Sequence, residues 1–152
     1  MDDEYYMREA LKEASLAFEK NEVPVGAVLV FQDRIIARAH NGMESQKKAT
    51  AHAEILCLEQ ASKELQNWRL VDCHLFTTLE PCIMCAGALI LSRIKRVVWG
   101  ASDYRHGGGG SLCDIFALPH PIHKVEVKEK VLEEESSFLI KSFFIKTRKS
   151  KK

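Results

Sequence analysis

Three side chains in this sequence could hold a soft metal ion, and a fourth could move protons beside it. His52 and Glu54 stand two apart in Thr-Ala-His-Ala-Glu-Ile (50–55), at the mouth of an otherwise apolar run. Histidine is the commonest metal ligand, and glutamate is a good proton carrier when it is not itself a ligand. By itself a His-x-Glu pair is more often a helix cap with a solvated carboxylate, so its meaning rests on what meets it. Leu-Glu-Pro-Cys-Ile-Met-Cys (79–85) supplies Cys82 and Cys85 at a spacing of three. In the first turn of a helix both sulfurs face one way, and the positive helix end favours thiolate, the form that binds zinc. His, Cys and Cys fill three tetrahedral positions and leave the fourth open, as catalytic zinc sites do and structural ones do not. Cys57, deep in its helix, and Cys73 read as core residues. Cys73 and His74 sit at the opposite end of their strand from Pro81. Cys113 and His40 remain open as further ligands on spacing alone. Glu54 fits beside a water in the open position, whose acidity zinc raises towards neutrality.

The elements that must position these groups can be read from periodicity. Met7, Ala10, Leu11, Ala14, Ala17 and Phe18 fall at helical spacing in a helix ending near Asn21. Val-Pro-Val-Gly-Ala-Val-Leu-Val-Phe (23–31) and Arg-Ile-Ile-Ala-Arg-Ala-His-Asn (34–41) form a hairpin turning at Gln32-Asp33. Thr50 reads as the N-cap of a helix to about Leu65, with Ile55, Leu56, Leu58 and Leu65 as its buried stripe. His74 to Thr78 is a buried strand, and Pro81 fits the first turn of a helix to about Leu91. A strand over 96–100 leads into a long loop, 101–121, with four consecutive glycines. A short strand within 124–131 precedes a helix from Glu133 to about Lys149, acidic at its start and basic at its end. The alternation predicts a three-layer α/β/α domain around a central mixed sheet, with sites at the carboxyl ends of the strands. One domain is expected over 1–152, with a basic C-terminal helix and tail over about 133–152.

Composition narrows the class. The 152 residues are 46% hydrophobic and 28% charged, which is globular. Apolar runs are far too short for a membrane span, and the acidic start Met-Asp-Asp-Glu does not read as a secretory signal, so no membrane contact and a cytoplasmic location are expected. Five cysteines, an odd number, argue for metal or catalysis over a disulfide framework. Net charge is only +1, yet the charges are polarised: Asp2, Asp3, Glu4, Glu9 and Glu13 at one end, Lys146, Arg148, Lys149, Lys151 and Lys152 at the other. That basic end reads either as a solvated terminus or as an arm for phosphates. The glycine run is no phosphate loop, since no Lys-Ser or Lys-Thr follows.

His-Ala-Glu with Pro-Cys-Ile-Met-Cys resembles the H-x-E…P-C-x-x-C signature of the zinc-dependent nucleobase deaminases. More narrowly, the chain is similar to the bacterial tRNA-specific adenosine deaminases over most of residues 1–148. The matching blocks are 22–30, Asn41, 50–55, 78–90, 92–98, Gly100-Ala101 with Asp103, and 110–112. The resemblance implies one zinc ion per subunit on His52, Cys82 and Cys85, with water in the open position, no organic cofactor, and Glu54 as proton shuttle. It implies Asn41 as a reader of the base edge, Val25 and Ala53 as pocket walls, and Asp103 in a loop touching the anticodon. It further implies a homodimer acting on a tRNA anticodon stem-loop, converting the wobble adenosine to inosine. Phe144 and Arg148 on the basic helix are candidate RNA contacts. The segment Tyr104-Arg105-His106 with its four glycines departs from the family pattern. Two rival readings are a deaminase of free guanine or cytosine, and a non-catalytic zinc module that binds RNA. Glu54 argues against the second, and the basic end argues against the first.

Overall fold

The computed structural model describes residues 1–150. Along the chain come α1 (Asp3–Glu19), β1 (Gly26–Phe31), β2 (Arg34–His40), α2 (Met43–Gln46), α3 (Ala53–Leu65), β3 (Cys73–Leu79), α4 (Ile83–Leu91), β4 (Arg96–Ala101), β5 (Glu126–Lys128) and α5 (Glu133–Ser150). The strands form one sheet in the order β2-β1-β3-β4-β5. β1 runs antiparallel to both β2 and β3, while β3, β4 and β5 are parallel, so the sheet is mixed, as expected.

Side chains along the central strands alternate between two cores. Ala27 and Leu29 of β1, Leu75 of β3, and Val97 and Trp99 of β4 face a cluster with Ala53, Cys57, Leu58 and Ala61 of α3 and Ala86, Leu89 and Ile90 of α4. Val28, Val30, Phe76 and Val98 face the other way, onto Tyr6, Met7 and Ala10 of α1 and onto Val131. Burial on both faces is why these strands are apolar throughout instead of alternating with polar residues.

The hairpin turns where expected. Gln32 and Asp33 take positive φ of 50° and 59°, the left-handed pair of a two-residue turn whose twist suits a hairpin. Four other expectations shift. α1 stops at Glu19, with Lys20 as cap and Asn21 left-handed. α3 begins at Ala53 with His52 in the cap position, not Thr50. Its first free N–H, that of Ala53, is taken by the side chain of Asn41 at 2.8 Å, so a distant residue does the capping and no local hydroxyl is needed. The buried line of α3 is Ala53, Glu54, Cys57, Leu58 and Ala61, while Ile55, Leu56 and Leu65 are only partly covered. Small side chains at a spacing of four let this helix approach the sheet closely. Pro81 lies just outside α4, because Cys82 takes the extended cap conformation and Ile83 is the first helical residue. The short α2 has no counterpart in the periodicity; Glu22 Oε1 accepts the Glu44 N–H at 2.9 Å within it.

The pairing brings the start of β1 and the ends of β2, β3 and β4 to one edge of the sheet, since Gly26 pairs with His40, Ala27 with Thr77 and Leu79 with Ala101. Val25, Asn41, His52, Cys82 and the loop after Ala101 all issue from that edge.

Candidate active site

Two helix starts meet there. His52 at the head of α3 turns Nδ1 to the head of α4, 3.6 Å from Cys82 Sγ and 3.6 Å from Cys85 Sγ. The three ligand atoms lie within 4.8 Å of one another, and no fourth His, Cys, Asp or Glu joins the group among the described residues. This spacing can be tested against an ion. Tetrahedral bonds of about 2.3 Å to sulfur and about 2.0–2.1 Å to nitrogen separate the two ligand atoms by about 3.6 Å. The observed separations are those of atoms sharing one zinc. The donor set also suits zinc better than magnesium or calcium, which prefer oxygen.

None of the other candidate ligands joins the trio. Cys57 donates to the Ala27 carbonyl at 3.3 Å, and burial pushes its thiol well above the usual range. Burial likewise raises Cys73 to about 11. His40 Nδ1 lies 3.0 Å from Glu13 Oε1, with Lys20 on its other nitrogen at 3.3 Å. Cys113 stands apart in the loop, free and partly exposed. The trio therefore keeps one side open.

Electrostatics favour a cation at the trio. The hydrogen bond from Cys85, with that of His52, carries the Cys82 thiol down to about 4, against the opposing effect of burial. Its partner moves the other way: the Cys82 hydrogen bond, burial and Glu54 hold Cys85 well above the thiol range. The Cys82 hydrogen bond raises His52 in turn, so without a metal the thiolate is balanced by the imidazole's proton, whose place a dication would take.

Glu54, in the first turn of α3, is only 4% exposed. Burial is the largest influence on it and raises its carboxyl to about 7, although the neighbouring His52 and a hydrogen bond with Cys85 pull downwards. A carboxylate placed there is neither solvated nor among the clustered metal-binding atoms. It holds a proton near neutral pH and can release it.

Beside the trio a pocket wall is locked together by the backbone. Asn41 N donates to the Val25 carbonyl at 3.0 Å, and Asn41 Oδ1 accepts from Ala53 N. Because only the amide oxygen can accept, the Asn41 side chain is oriented and its NH2 is left as the outward donor. Val25, Asn41 and Ala53 are all buried. Sequence reasoning missed two residues that brace this edge. Thr78 Oγ1 accepts from Gly26 N at 3.1 Å, and Glu80, 3% exposed, turns its carboxylate into the glycine loop. Their neighbourhood to Cys82 was readable, but their partners lie far away in the chain.

Of the outer candidates, Asp103 Oδ1 accepts from Arg105 N and His106 N, both at 3.2 Å, so its carboxylate shapes the tip of its own loop. The phenylalanine pair divides: Phe143 is buried edge-on against Phe18, while Phe144 is 46% exposed. Arg148 is exposed on the last turn of α5. Lys146 Nζ reaches Asn21 Oδ1 at 3.2 Å, which brings the basic end of α5 to the side of the sheet where β1 begins. Lys151 and Lys152 lie outside the described residues. No helix among the described residues is long and apolar enough to cross a membrane.

Residues 1–101 match the zinc-binding region of the cytidine and deoxycytidylate deaminases. The tRNA-specific adenosine deaminase of Bacillus subtilis (strain 168) is 50% identical over 150 residues, covering 99% of this chain and 93% of the relative. The chain belongs to the zinc-dependent deaminase family. Within it, it belongs with the bacterial tRNA-specific adenosine deaminases. A solved structure from work on A-to-I editing by tRNA:A34 deaminases at the wobble position superposes with a TM-score of 0.86 at 41% identity, covering 89% of this chain and 98% of that one. The guanine deaminase of Bacillus subtilis is similar over a smaller part: TM-score 0.64, 36% identity, 67% of this chain and 66% of that one. The expected α/β fold and family therefore stand, with His52, Cys82 and Cys85 as candidate zinc ligands.

Proposed function

We propose that this deaminase converts the wobble adenosine of a tRNA anticodon to inosine, releasing ammonia, with zinc on His52, Cys82 and Cys85. The observation that carries the reading is the open three-donor centre with a buried, near-neutral Glu54 beside it, in a chain so similar to tRNA deaminases. When bound, the ion would supply Lewis acidity to the attacking water. The chain's own groups do the rest. Glu54 takes a proton from the water that attacks C6 and passes it to purine N1, then takes the hydroxyl proton of the C6 adduct and passes it to the departing amine, so that adenosine and water become inosine and ammonia. Asn41 presents its NH2 to a ring acceptor on the base, held by the Ala53 N–H behind it. Val25 and Ala53 close the pocket with apolar surface.

A base inside a duplex is out of reach, whereas an anticodon loop offers one after modest unstacking. Phe144 suits stacking on a splayed base, and Arg148 suits a phosphate. Asp103 acts by shaping the loop that meets the anticodon. A single domain over 1–152, a homodimer and a cytoplasmic location complete the reading. The dimer is supported by apolar residues at the surface beside the centre: Ile83 at 48%, Met84 at 36% and Leu112 at 56% exposure.

Similarity to a guanine deaminase makes a free base the competing substrate. The test is zinc-loaded protein incubated with an anticodon stem-loop carrying adenosine at the wobble position, in parallel with free adenosine, guanine and cytosine. Inosine should form in the stem-loop with kcat/KM at least about a thousandfold above any free compound, a gap of roughly 4 kcal/mol. Turnover of guanine or cytosine without reaction of the stem-loop would overturn the reading.

A further inference from the structure

We propose that Glu80 is a positioning residue: its buried carboxylate ties the loop from Asp103 to Ser111 shut beside the Cys82 turn and so sets how well RNA is engaged. This rests on the tRNA reading above. Glu80 follows β3 directly, fixed by its own N–H to the Ala101 carbonyl at 2.8 Å, two residues before Cys82. Its side chain accepts from four loop groups. Oε1 takes Asp103 N at 3.1 Å and the Ser111 hydroxyl; Oε2 takes Gly109 N at 2.9 Å and Ser111 N at 3.1 Å. The two sides of the loop, eight residues apart, are thus drawn onto one carboxylate, and bonds to an ionised acceptor are the stronger kind.

The fit leaves no spare room. A Cβ on Gly107 would lie 2.2 Å from Glu80 Oε2, and one on Gly109 would lie 2.4 Å from the ring of Trp99. Gly107 and Gly109 are therefore required for close packing, and Gly110, at φ 132°, for its backbone conformation. Once drawn in, the loop is stitched to the metal-binding turn: Gly108 N donates to the Pro81 carbonyl at 2.7 Å, and Gly107 bridges with Cys82. Beyond the tie project Tyr104, 83% exposed, with Arg105 and His106. An exposed aromatic followed by a guanidinium and an imidazole suits an unstacked base and its phosphates. Holding that tip in place beforehand removes an ordering cost from binding.

Glu80→Gln tests the tie. One amide nitrogen must then face backbone N–H donors, while the side chain keeps its size. The zinc-loaded variant should keep one zinc per chain, yet exchange the amide hydrogens of Asp103, Gly109 and Ser111 about tenfold faster, and raise KM for the stem-loop about tenfold with a smaller change in kcat. Ser111→Ala, which removes one of the four bonds without touching Glu80, should move the same amides and KM in the same direction by less. It also serves if Glu80→Gln fails to fold. The two changes should be less than additive in the double variant. Unchanged loop exchange, or loss of kcat with KM unaltered, would overturn the proposal. Were the unaltered protein to make no inosine in the stem-loop, the functional reading would fall, while the exchange data would still decide whether Glu80 holds the loop.

Discussion

The metal-binding centre and the basic end of α5 are both made of polar residues at helix ends, but they are held in opposite ways. His52, Glu54, Cys82 and Cys85 are wholly or partly buried, fixed by two helix starts, by the Asn41 cap on Ala53, and by one another. Phe144, Arg148 and Lys149 are exposed on one helix. Among the described residues at this end, Lys146 is tied to Asn21, just past α1, and lies over the Phe18 ring at 5.1 Å. The first region needs its geometry before any substrate arrives, because bond-making tolerates little misplacement. The second needs charge and reach, and phosphates bring the geometry with them. On the proposed function, chemistry is built in and recognition is completed by the RNA.

The largest expected effect breaks the first region. Cys82→Ala or Cys85→Ala should release zinc, measured by atomic absorption, and lower inosine formation by more than about a thousandfold, since two ligands do not hold the ion that the chemistry needs. Retention of one zinc per chain in either variant would show that the trio is not the binding site.

A smaller effect belongs to the second region. Arg148→Ala combined with Lys149→Ala should weaken stem-loop binding several-fold and lower the slope of log K against log salt by up to about 1.4–1.8, for two lost phosphate contacts. Zinc content should not move. An unchanged slope would make this end of α5 a solvated surface and reduce the comparison to a single functional region.

The smallest effect lies outside both and serves as their control. Asp3 Oδ2 accepts from Lys128 Nζ at 2.7 Å and from Arg96. Burial would raise the Asp3 carboxyl, but the Lys128 hydrogen bond and the Arg96 charge outweigh it and hold the folded-state value below the ordinary 3.8. A depressed pKa stabilises the fold above the unfolded-state value and is lost as pH falls through the folded one. Asp3→Asn should therefore cost about 0.5–1 kcal/mol at pH 7, given the exposure of Lys128, and less in acid as pH falls below the ordinary 3.8 towards the folded-state value. Thermal melts at pH 7 and in acid check it; neither zinc content nor RNA affinity should change.

How much of this was legible in the sequence follows the same division. The trio and Glu54 could be read because helix starts force spacing: Cys82 at a cap and Cys85 three residues on, His52 at another cap. The hairpin and a sheet covered on both faces were readable from apolar patterning, but the buried line of α3 was not. The α3 cap was not, because Asn41 supplies it from twelve residues away. The same holds for Glu80, whose partners lie 23 to 31 residues downstream. In sequence, the glycine run is equally compatible with a slack loop; Glu80 against Gly107 and Trp99 against Gly109 make those two glycines a requirement. What escaped was tertiary pairing between polar groups, which leaves no periodic trace.

The central claim is that Glu54 carries protons and does not hold the metal. Zinc stoichiometry and inosine formation in the anticodon stem-loop should be measured on one preparation of Glu54→Ala. The expected result is one zinc per chain and a folded protein, with deamination down by at least about 10²–10⁴. Loss of zinc would make Glu54 a ligand, and undiminished inosine would place proton transfer elsewhere; either result contradicts the account.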